Sequence, residues 1–378
     1  MTRDQLLKRK KQLEKDISKY KNLQLAKKVQ LNSAYGALGN QYFRFFDVRM
    51  AESITLSGQL SIRWIEARMN EYLNKLLKTE GEDYVIASDT DSLYITFDRL
   101  VKQVFAKGDG VQDLDTDKVV KFLDNVAQKK IEPFIDQSYQ DLADLMNAYE
   151  QKMFMKREAI ADKGIWTAKK RYILNVYDNE GVRYTDPKLK MMGIETVKSS
   201  TPASCREALK KALRIIMNEN EQAVQSYIAD FREEFKTLPF EDVAFPRGVT
   251  DLTKYQTDGK FWNDFTNSGR NLEFMKSTPI HVRGSLLYNH LLKQHKLEKR
   301  YESIKDGEKI KFCYLRTPNP IRQNVLSILS SLPKEFGLED YIDYDTQFDK
   351  AFLEPLSAIL NVVGWDTEKK ASLEAFFG

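Results

Sequence analysis

The chain has 378 residues, enough for two or three domains with separate hydrophobic cores. Its formal net charge is +4, and its apolar runs are too short to span a membrane. No apolar segment follows the basic N-terminus, which argues against secretion and favours the cytoplasm. The two cysteines and three histidines lack the spacing of zinc sites, so any metal must be held by oxygen ligands.

Basic residues are concentrated in a few segments. Residues 1–28 hold a dense cluster of Lys and Arg, and basic side chains return at residues 169–172 and 290–300. Such clusters are typical of surfaces that contact phosphates. For any single cluster, a solvated helix face is the simpler interpretation.

The first half of the chain is predicted to be helical with one β-hairpin. Leu and Ile interleaved with Lys and Glu predict a helix or helix pair over about residues 3–35, and residues 52–77 follow the same pattern. Residues 84–97 are rich in strand formers on both sides of an Asp-Thr-Asp step. Apolar residues at helical spacing from Val119 predict a further helix, which Pro133 interrupts or kinks.

The second half is predicted to be mostly helical after one strand pair. Residues 166–184 predict two strands that turn at Asp-Asn-Glu-Gly. Thr201 and Pro202 suit the start of a helix, and apolar residues at helical spacing follow them. These elements predict an α+β fold with an antiparallel sheet.

Two carboxylates, Asp89 and Asp91, stand one residue apart between strand formers. At a hairpin tip both can point outward from a rigid base. Hard divalent cations such as Mg²⁺ bind few carboxylates plus waters and substrate phosphates, and two such ions can clamp an in-line phosphoryl displacement. The alternative is an ordinary turn whose aspartates cap backbone amides.

A second group of polar residues favours the metal interpretation. Lys28, Asn32 and Tyr35 follow an i, i+4, i+7 pattern, which places a cation, an amide and an aromatic ring on one helix face. A nucleoside triphosphate requires such groups. Gly36 and Gly39 allow close approach to the backbone.

These motifs, in this order, resemble those of the family B DNA polymerases, most closely the replicative enzymes of T-even-type tailed phages. Residues 28–36 match the fingers motif K-x-x-x-N-S-x-Y-G, residues 88–92 match the palm motif Y-G-D-T-D-S, and residues 170–172 match the K-x-Y motif. Further similar strings are Ile-Thr-Leu-Ser-Gly-Gln after the fingers and His-Val-Arg-Gly in the thumb. Ser88 departs from the usual glycine.

The resemblance implies roles for the active-site residues. Asp91 would be the principal ligand of two Mg²⁺ ions, and Asp89 a secondary ligand or orienting carboxylate. Lys28 would bind the triphosphate of the incoming deoxynucleotide, with Asn32 framing the same site. The nascent base pair would be lined by Tyr35 and Gly36.

The resemblance also implies contacts with primer-template DNA. Lys170, Arg171 and Tyr172 would grip the primer end, reading shape more than sequence. The remaining expected contacts are Lys198, and His281 and Arg283 on the thumb. Glu158 is similar to an acidic residue near the metal site of the family.

The palm motif D-x-x-S-L-Y-P, which carries the other metal-binding aspartate in this family, has no match in the sequence. The exonuclease and N-terminal domains and the first fingers helix are also missing. We therefore expect this chain to be inactive alone and to be the C-terminal subunit of a split polymerase, paired with an N-terminal chain that carries those parts. An engineered truncation is the alternative.

The resemblance divides the chain into a fingers segment (residues 1–40), a palm (41–193), a thumb (194–369) and a C-terminal peptide (370–378). Within this peptide, Leu373, Phe376 and Phe377 reproduce the L-x-x-F-F spacing of sliding-clamp-binding peptides. A helix end folded onto the thumb is the alternative.

Two other functions compete with a split polymerase. One is a non-catalytic subunit that binds DNA and tethers the clamp. The other is a stand-alone metal-dependent nuclease that uses Asp89 and Asp91, against which the nucleotide-facing residues of the first helix argue.

Overall fold

A computed structural model describes residues 2–105, 115–255, 274 and 277–369. The chain divides into two compact units, Met1–Arg157 and Glu158–Gly378. Helices and antiparallel sheets of two or three strands make up both units, which confirms the predicted α+β fold. The division into fingers, palm, thumb and tail stays a prediction. No helix in the described ranges has the length and apolar character needed to cross a membrane.

The first unit joins long helices to one hairpin. Its described elements are α1 (Arg3–Leu38), α2 (Val48–Leu77), β1 (Val85–Asp89), β2 (Ser92–Ile95), α3 (Asp98–Phe105), α4 (Thr116–Val126) and α5 (Glu132–Leu145).

Helix α1 is one continuous helix without a buried side chain. It begins with a capping box, in which Thr2 Oγ1 accepts from the backbone N–H of Gln5 and the Gln5 side chain accepts from that of Thr2. The helix ends at Leu38, three residues beyond the predicted end. A glycine in a helix costs only about 1 kcal/mol relative to alanine, so Gly36 alone does not end it.

The core of the first unit is formed by the C-terminal half of α2 and by α5. Ile65, Met69 and Leu73 follow one another at four-residue spacing on α2, and each is fully buried. The indole N–H of Trp64 donates to the carbonyl of Ser138 at 2.9 Å, which ties α2 to α5.

Of the two effects predicted for Pro133, an interruption or a kink of the helix, the structure excludes the interruption. Residues Ala127–Ile131 form a π-helical turn that continues directly from α4, and Pro133 lies in the first turn of α5. Proline is tolerated there because the first N–H groups of a helix have no intrahelical acceptor.

The second unit combines two three-stranded antiparallel sheets with helices. Its described elements are β3 (Ala159–Ala168), β4 (Arg171–Asn179), β5 (Val182–Met192), α6 (Ala203–Asn218), α7 (Glu221–Phe235), α8 (Phe240–Val243), β6 (Phe245–Gly248), α9 (Ile280–Gln294), β7 (Lys309–Tyr314), β8 (Val325–Ile328), α10 (Tyr344–Phe348) and α11 (Glu354–Val363). The sheet orders are β3-β4-β5 and β6-β7-β8.

One sequence expectation for this unit needs correction, and another is incomplete. Residues 166–184 contain parts of three strands, because a tight turn at Lys169 and Lys170 precedes the predicted turn at Glu180 and Gly181. After residue 202 the regular structure is mostly helical, as predicted, but it also contains the sheet β6-β7-β8, which the sequence did not predict. Apolar runs of four to six residues are compatible with either a strand or part of a buried helix, so periodicity alone does not identify them.

Helix α9 lies close against strand β8. A Cβ atom added at Gly284 would lie 2.5 Å from Ser327 Oγ and 2.7 Å from the backbone nitrogen of Ser327. The hydroxyl of Ser327 donates to the carbonyl of His281 at 2.9 Å. The glycine of the His-Val-Arg-Gly string therefore permits this approach, which fixes the position of His281 at the start of α9.

Candidate functional site

The acidic hairpin forms as the sequence predicts. Strands β1 and β2 pair antiparallel, with Asp89 opposite Ser92 and with Thr90 and Asp91 at the tip. Thr90 has a φ of +57°, which is unusual for a β-branched residue. The backbone N–H of Asp91 donates to the carbonyl of Asp89 at 2.6 Å, and the hydroxyl of Ser92 donates to the same carbonyl at 3.1 Å. The turn is thus held in a tight, strained conformation, as functional turns often are.

Helix α2 anchors the base of this hairpin. The side-chain oxygen of Asn70 accepts from the backbone N–H groups of Tyr84 and Val85 at 2.8 and 3.1 Å. Nearer the tip, the hydroxyl of Ser88 donates to the carboxylate of Glu66 at 3.4 Å. Sequence reasoning did not identify Asn70 or Glu66, since a polar residue on a helix gives no signal of the strand that it meets.

The two carboxylates differ in their surroundings. Asp91 is exposed, and its side chain makes no hydrogen bond or ion pair with any described residue. Asp89 is half-buried at the end of β1 and accepts from the Thr90 hydroxyl at 3.0 Å. In the described part of the chain, no group of three or more His, Cys, Asp or Glu side chains could hold a metal. Two oxygen donors at a rigid tip fit part of a Mg²⁺ site, because this ion keeps several waters and takes few carboxylates.

The residues predicted to face the nucleotide lie on one helix, as predicted. Lys28, Asn32 and Tyr35 all fall within α1, and their side chains are exposed together with Gly36. A Cβ atom at Gly36 would meet nothing within 4 Å. The side chains of Lys28, Asn32 and Tyr35, called the α1 row below, are thus accessible to a ligand.

The turn between β3 and β4 presents the first predicted DNA contact. Lys170 is exposed in this turn and has a φ of +59°. Residue 193 has no room for a side chain, because a Cβ atom on Gly193 would lie 2.1 Å from the carbonyl oxygen of Lys170. Gly193 itself has a φ of +68°, so both its backbone conformation and the space around it require glycine.

Two of the predicted contacts, Arg171 and Lys198, line one cavity of about 380 Å³. Both side chains donate to the carboxylate of Glu195. The distances are 3.1 and 2.8 Å from Arg171 Nη2 to the two carboxylate oxygens, and 2.9 Å from Lys198 Nζ to Oε1.

Two further cations, Arg247 and Lys350, line the same cavity and were missed in the sequence. Isolated basic residues carry no distinguishing pattern, and only the folded sheet and helix bring them to this wall. Lys350 forms an ion pair with Glu354 at 3.5 Å. Arg247 is exposed.

The pKa of His281 is lowered, and burial of the imidazole is the larger cause. The positive charge of Arg247 contributes to this shift of the histidine pKa. Arg283 follows on the same helix, and its Nε donates to the carbonyl of Thr278 at 3.0 Å.

Tyr172 and Glu158, two further predicted site residues, do not line this cavity. Tyr172 is 4% exposed and pairs with Trp166 across β3 and β4. Glu158 belongs to the second unit, where it forms an ion pair with Lys190 at 2.5 Å. Leu373, Phe376 and Phe377 are outside the described residues.

Comparison with known proteins is consistent with these motifs. The family model described as DNA polymerase family B matches residues 1–258. The DNA-directed DNA polymerase of Enterobacteria phage T4 is 39% identical to this chain over 368 residues, and that of Escherichia phage RB69 is 38% identical over 366 residues. DNA polymerase 1 of Aeropyrum pernix is 24% identical over 273 residues.

The alignments cover most of this chain but only a minority of each relative. The alignments with the two phage polymerases include 94% of this chain but only 38% of each relative. For the Aeropyrum pernix protein, the shares are 72% and 22%. The chain therefore spans well under half of the length of these relatives.

Proposed function

The chain belongs to DNA polymerase family B, and from this membership we propose that it contributes one part of a DNA-dependent DNA polymerase active site. It binds primer-template DNA and a deoxynucleoside triphosphate, and it adds nucleotides to the primer 3′ end together with a second polypeptide. The observation that carries the proposal is the pair Asp89 and Asp91 on a strained hairpin tip, with the Asp91 carboxylate exposed.

Asp91 and Asp89 hold divalent metal at this tip. Mg²⁺ suits the site, because both available ligands are carboxylate oxygens. A bound pair of such ions would stabilise the charge that develops during phosphoryl transfer. The anchoring of the hairpin by Asn70 fixes the direction of the carboxylates, which lowers the reorganisation needed on binding.

The α1 row binds the incoming nucleotide. Lys28 neutralises triphosphate oxygens, Asn32 offers an amide beside them, and Tyr35 places a ring at the base or sugar. Gly36 leaves the helix surface open next to that ring.

The second unit contacts the DNA backbone. Lys170 at its turn, together with Lys198 and the newly identified Arg247 and Lys350, supplies cations that can meet phosphates. His281 and Arg283 extend this surface along α9. Tyr172 follows this turn on β4, and its side chain is buried.

The missing palm carboxylate comes from a second polypeptide, an N-terminal chain that also carries the exonuclease. Two observations support such a partner. The described residues offer no third metal ligand at the hairpin, and α1 exposes apolar side chains along its whole length. Leu13 is 43%, Ile17 is 55% and Leu31 is 74% exposed. Such surface is typical of a region that packs against another chain.

Primer extension by mixed chains tests the proposal. The chain is combined with a polypeptide carrying the N-terminal domains and the missing palm motif of a T-even-type polymerase, with Mg²⁺, a primed template and deoxynucleotides. We expect extension by the mixture and none by either chain alone. Extension by this chain alone contradicts the division of the metal site. If the mixture binds DNA but never extends it, the chain is instead a non-catalytic DNA-binding subunit.

The C-terminal peptide tethers the complex to a sliding clamp. Its Leu and Phe spacing supports this part of the proposal. Deleting residues 371–378 is expected to leave unassisted synthesis intact and to remove the stimulation by a clamp.

A further inference from the structure

Glu195 is the carboxylate on which two cations of the cavity converge. Arg171 begins β4, whereas Lys198 follows the short 3₁₀ turn Glu195–Val197. Both donate to the same side chain, at 2.8 Å for Arg171 and 2.9 Å for Lys198. One carboxylate therefore fixes two long, flexible side chains from different segments.

The backbone around Glu195 is fixed as well. The backbone N–H of Lys198 donates to the carbonyl of Glu195 at 3.2 Å. Gly193 lets the chain pass against the carbonyl of Lys170 and the Cγ atom of Arg171. The acid and its two partners thus sit on backbone that has little freedom to move.

The side chains that line the cavity carry a net positive charge. Four cations, Arg171, Lys198, Arg247 and Lys350, face two carboxylates, Glu195 and Glu354, which leaves a net charge of 4 − 2 = +2. Glu354 pairs with Lys350, so Glu195 is the carboxylate that holds the two sequence-predicted DNA contacts. A positive cavity with restrained cations suits the phosphates of a nucleic acid.

We propose that Glu195 is a positioning residue for primer-template DNA, which holds Lys198 and Arg171 at the spacing that the backbone phosphates meet. This inference rests on the proposed DNA contacts of the second unit. Unrestrained Lys and Arg side chains lose rotamer entropy on binding, and holding them beforehand reduces this loss. The carboxylate also limits how strongly these cations bind phosphates in other arrangements.

Glu195→Gln in the full 378-residue chain tests the role, because glutamine keeps the shape and removes the charge. Binding of a fluorescent primer-template junction and of a blunt duplex is measured over a series of NaCl concentrations. The Glu195 carboxylate offsets one unit of the positive charge that Arg171 and Lys198 bring to the phosphates, and each further phosphate charge neutralised steepens the dependence of log K on log salt by about 0.9. We therefore expect a slope steeper by roughly 1, together with a several-fold loss of preference for the junction because the two cations are no longer held in place.

Glu233→Gln is the matched control. Glu233 pairs with Lys236 at 3.0 Å on the surface of the same unit, and this pair does not line the cavity. The control removes one negative charge and is expected to leave slope and preference unchanged. Equal changes in both variants, or an unchanged slope and preference in Glu195→Gln, overturn the proposal.

The restraint on Lys198 is also measured without DNA. Acetylation by acetic anhydride, followed by mass spectrometry, is expected to be several-fold faster at Lys198 in Glu195→Gln, with Lys210 as internal reference. Thermal melting and Glu195→Asp separate this effect from unfolding, since aspartate keeps the charge and restores the slope in part. An unchanged rate at Lys198 overturns the role of Glu195 even if the chain binds DNA. A wild-type chain that fails to bind the junction instead contradicts the proposed DNA contacts.

Discussion

The two compact units differ in how completely each buries its apolar residues. Of the described residues, the second unit has a core of 42 buried apolar side chains, including the cluster around Phe231, Phe348 and Phe352. The first unit has ten, all contributed by α2, α5 and the segments around them, and α1 contributes none. The second unit therefore has a large core of its own, whereas the first has a small core and exposes the apolar side chains of α1 and the Asp91 carboxylate.

The largest effect is expected at the hairpin tip of the first unit. In the mixed polymerase, Asp91→Asn should reduce single-turnover nucleotide incorporation by about a thousandfold or more, because charge stabilisation at such a site is worth several kcal/mol. Duplex affinity should change little. Asp98→Asn is the control, since Asp98 is an exposed aspartate of the same unit paired with Lys102. Retained synthesis in Asp91→Asn would remove Asp91 from the metal site.

The difference in packing predicts a difference in stability. Phe352→Ala removes a fully buried ring from the second unit and should lower the free energy of unfolding by about 3 to 5 kcal/mol. Leu23→Ala on α1, where the side chain is 49% exposed, should change it by less than about 0.5 kcal/mol. Urea denaturation of the isolated chain measures both. A large loss in Leu23→Ala would mean that α1 packs against the rest of this chain.

Lys28→Ala tests the proposed contact between the α1 row and the incoming nucleotide. Loss of one triphosphate contact should raise KM for deoxynucleotides by roughly ten- to a hundredfold, in line with about 1.5 to 3 kcal/mol for a hydrogen bond to a charged group. The Kd for primer-template should stay unchanged. Lys27→Ala is the control, because adjacent helical residues do not share a face. Parallel losses of nucleotide and primer binding would contradict the assignment.

The smallest effect concerns the turn that presents Lys170 in the second unit. Gly193→Ala should destabilise the chain by about 1 to 3 kcal/mol, because its Cβ atom collides with a backbone carbonyl and φ is positive. Gly307→Ala separates the two causes, since Gly307 has a φ of +86° and open space around it. Thermal unfolding should show a clearly larger loss for Gly193→Ala. Equal losses would mean that the close approach to Lys170 adds nothing.

Prediction from the sequence succeeded where the signal is local. The β-hairpin with Asp89 and Asp91 at its turn, and the common helix of Lys28 and Tyr35, follow from residue spacing and strand propensity. The sheet β6-β7-β8 was missed, because its short apolar strands resemble pieces of buried helix. The extra turn at Lys170 was missed for a different reason, since a non-glycine residue with positive φ has no sequence signature here.

The sequence by itself determined the acidic tip and the common helix of the α1 row residues, since each depends on spacing along one element. It also indicated the family, because that resemblance depends on several short motifs in a fixed order along the chain. Only the tertiary structure decided which cations share a cavity. Arg171, Lys198, Arg247 and Lys350 are distant in sequence, and Glu195 acquires its two partners only after β4 and the turn that follows β5 come together. The physical reason is that side-chain spacing within one helix or strand is fixed by its local geometry, whereas contacts between segments depend on how the whole unit packs.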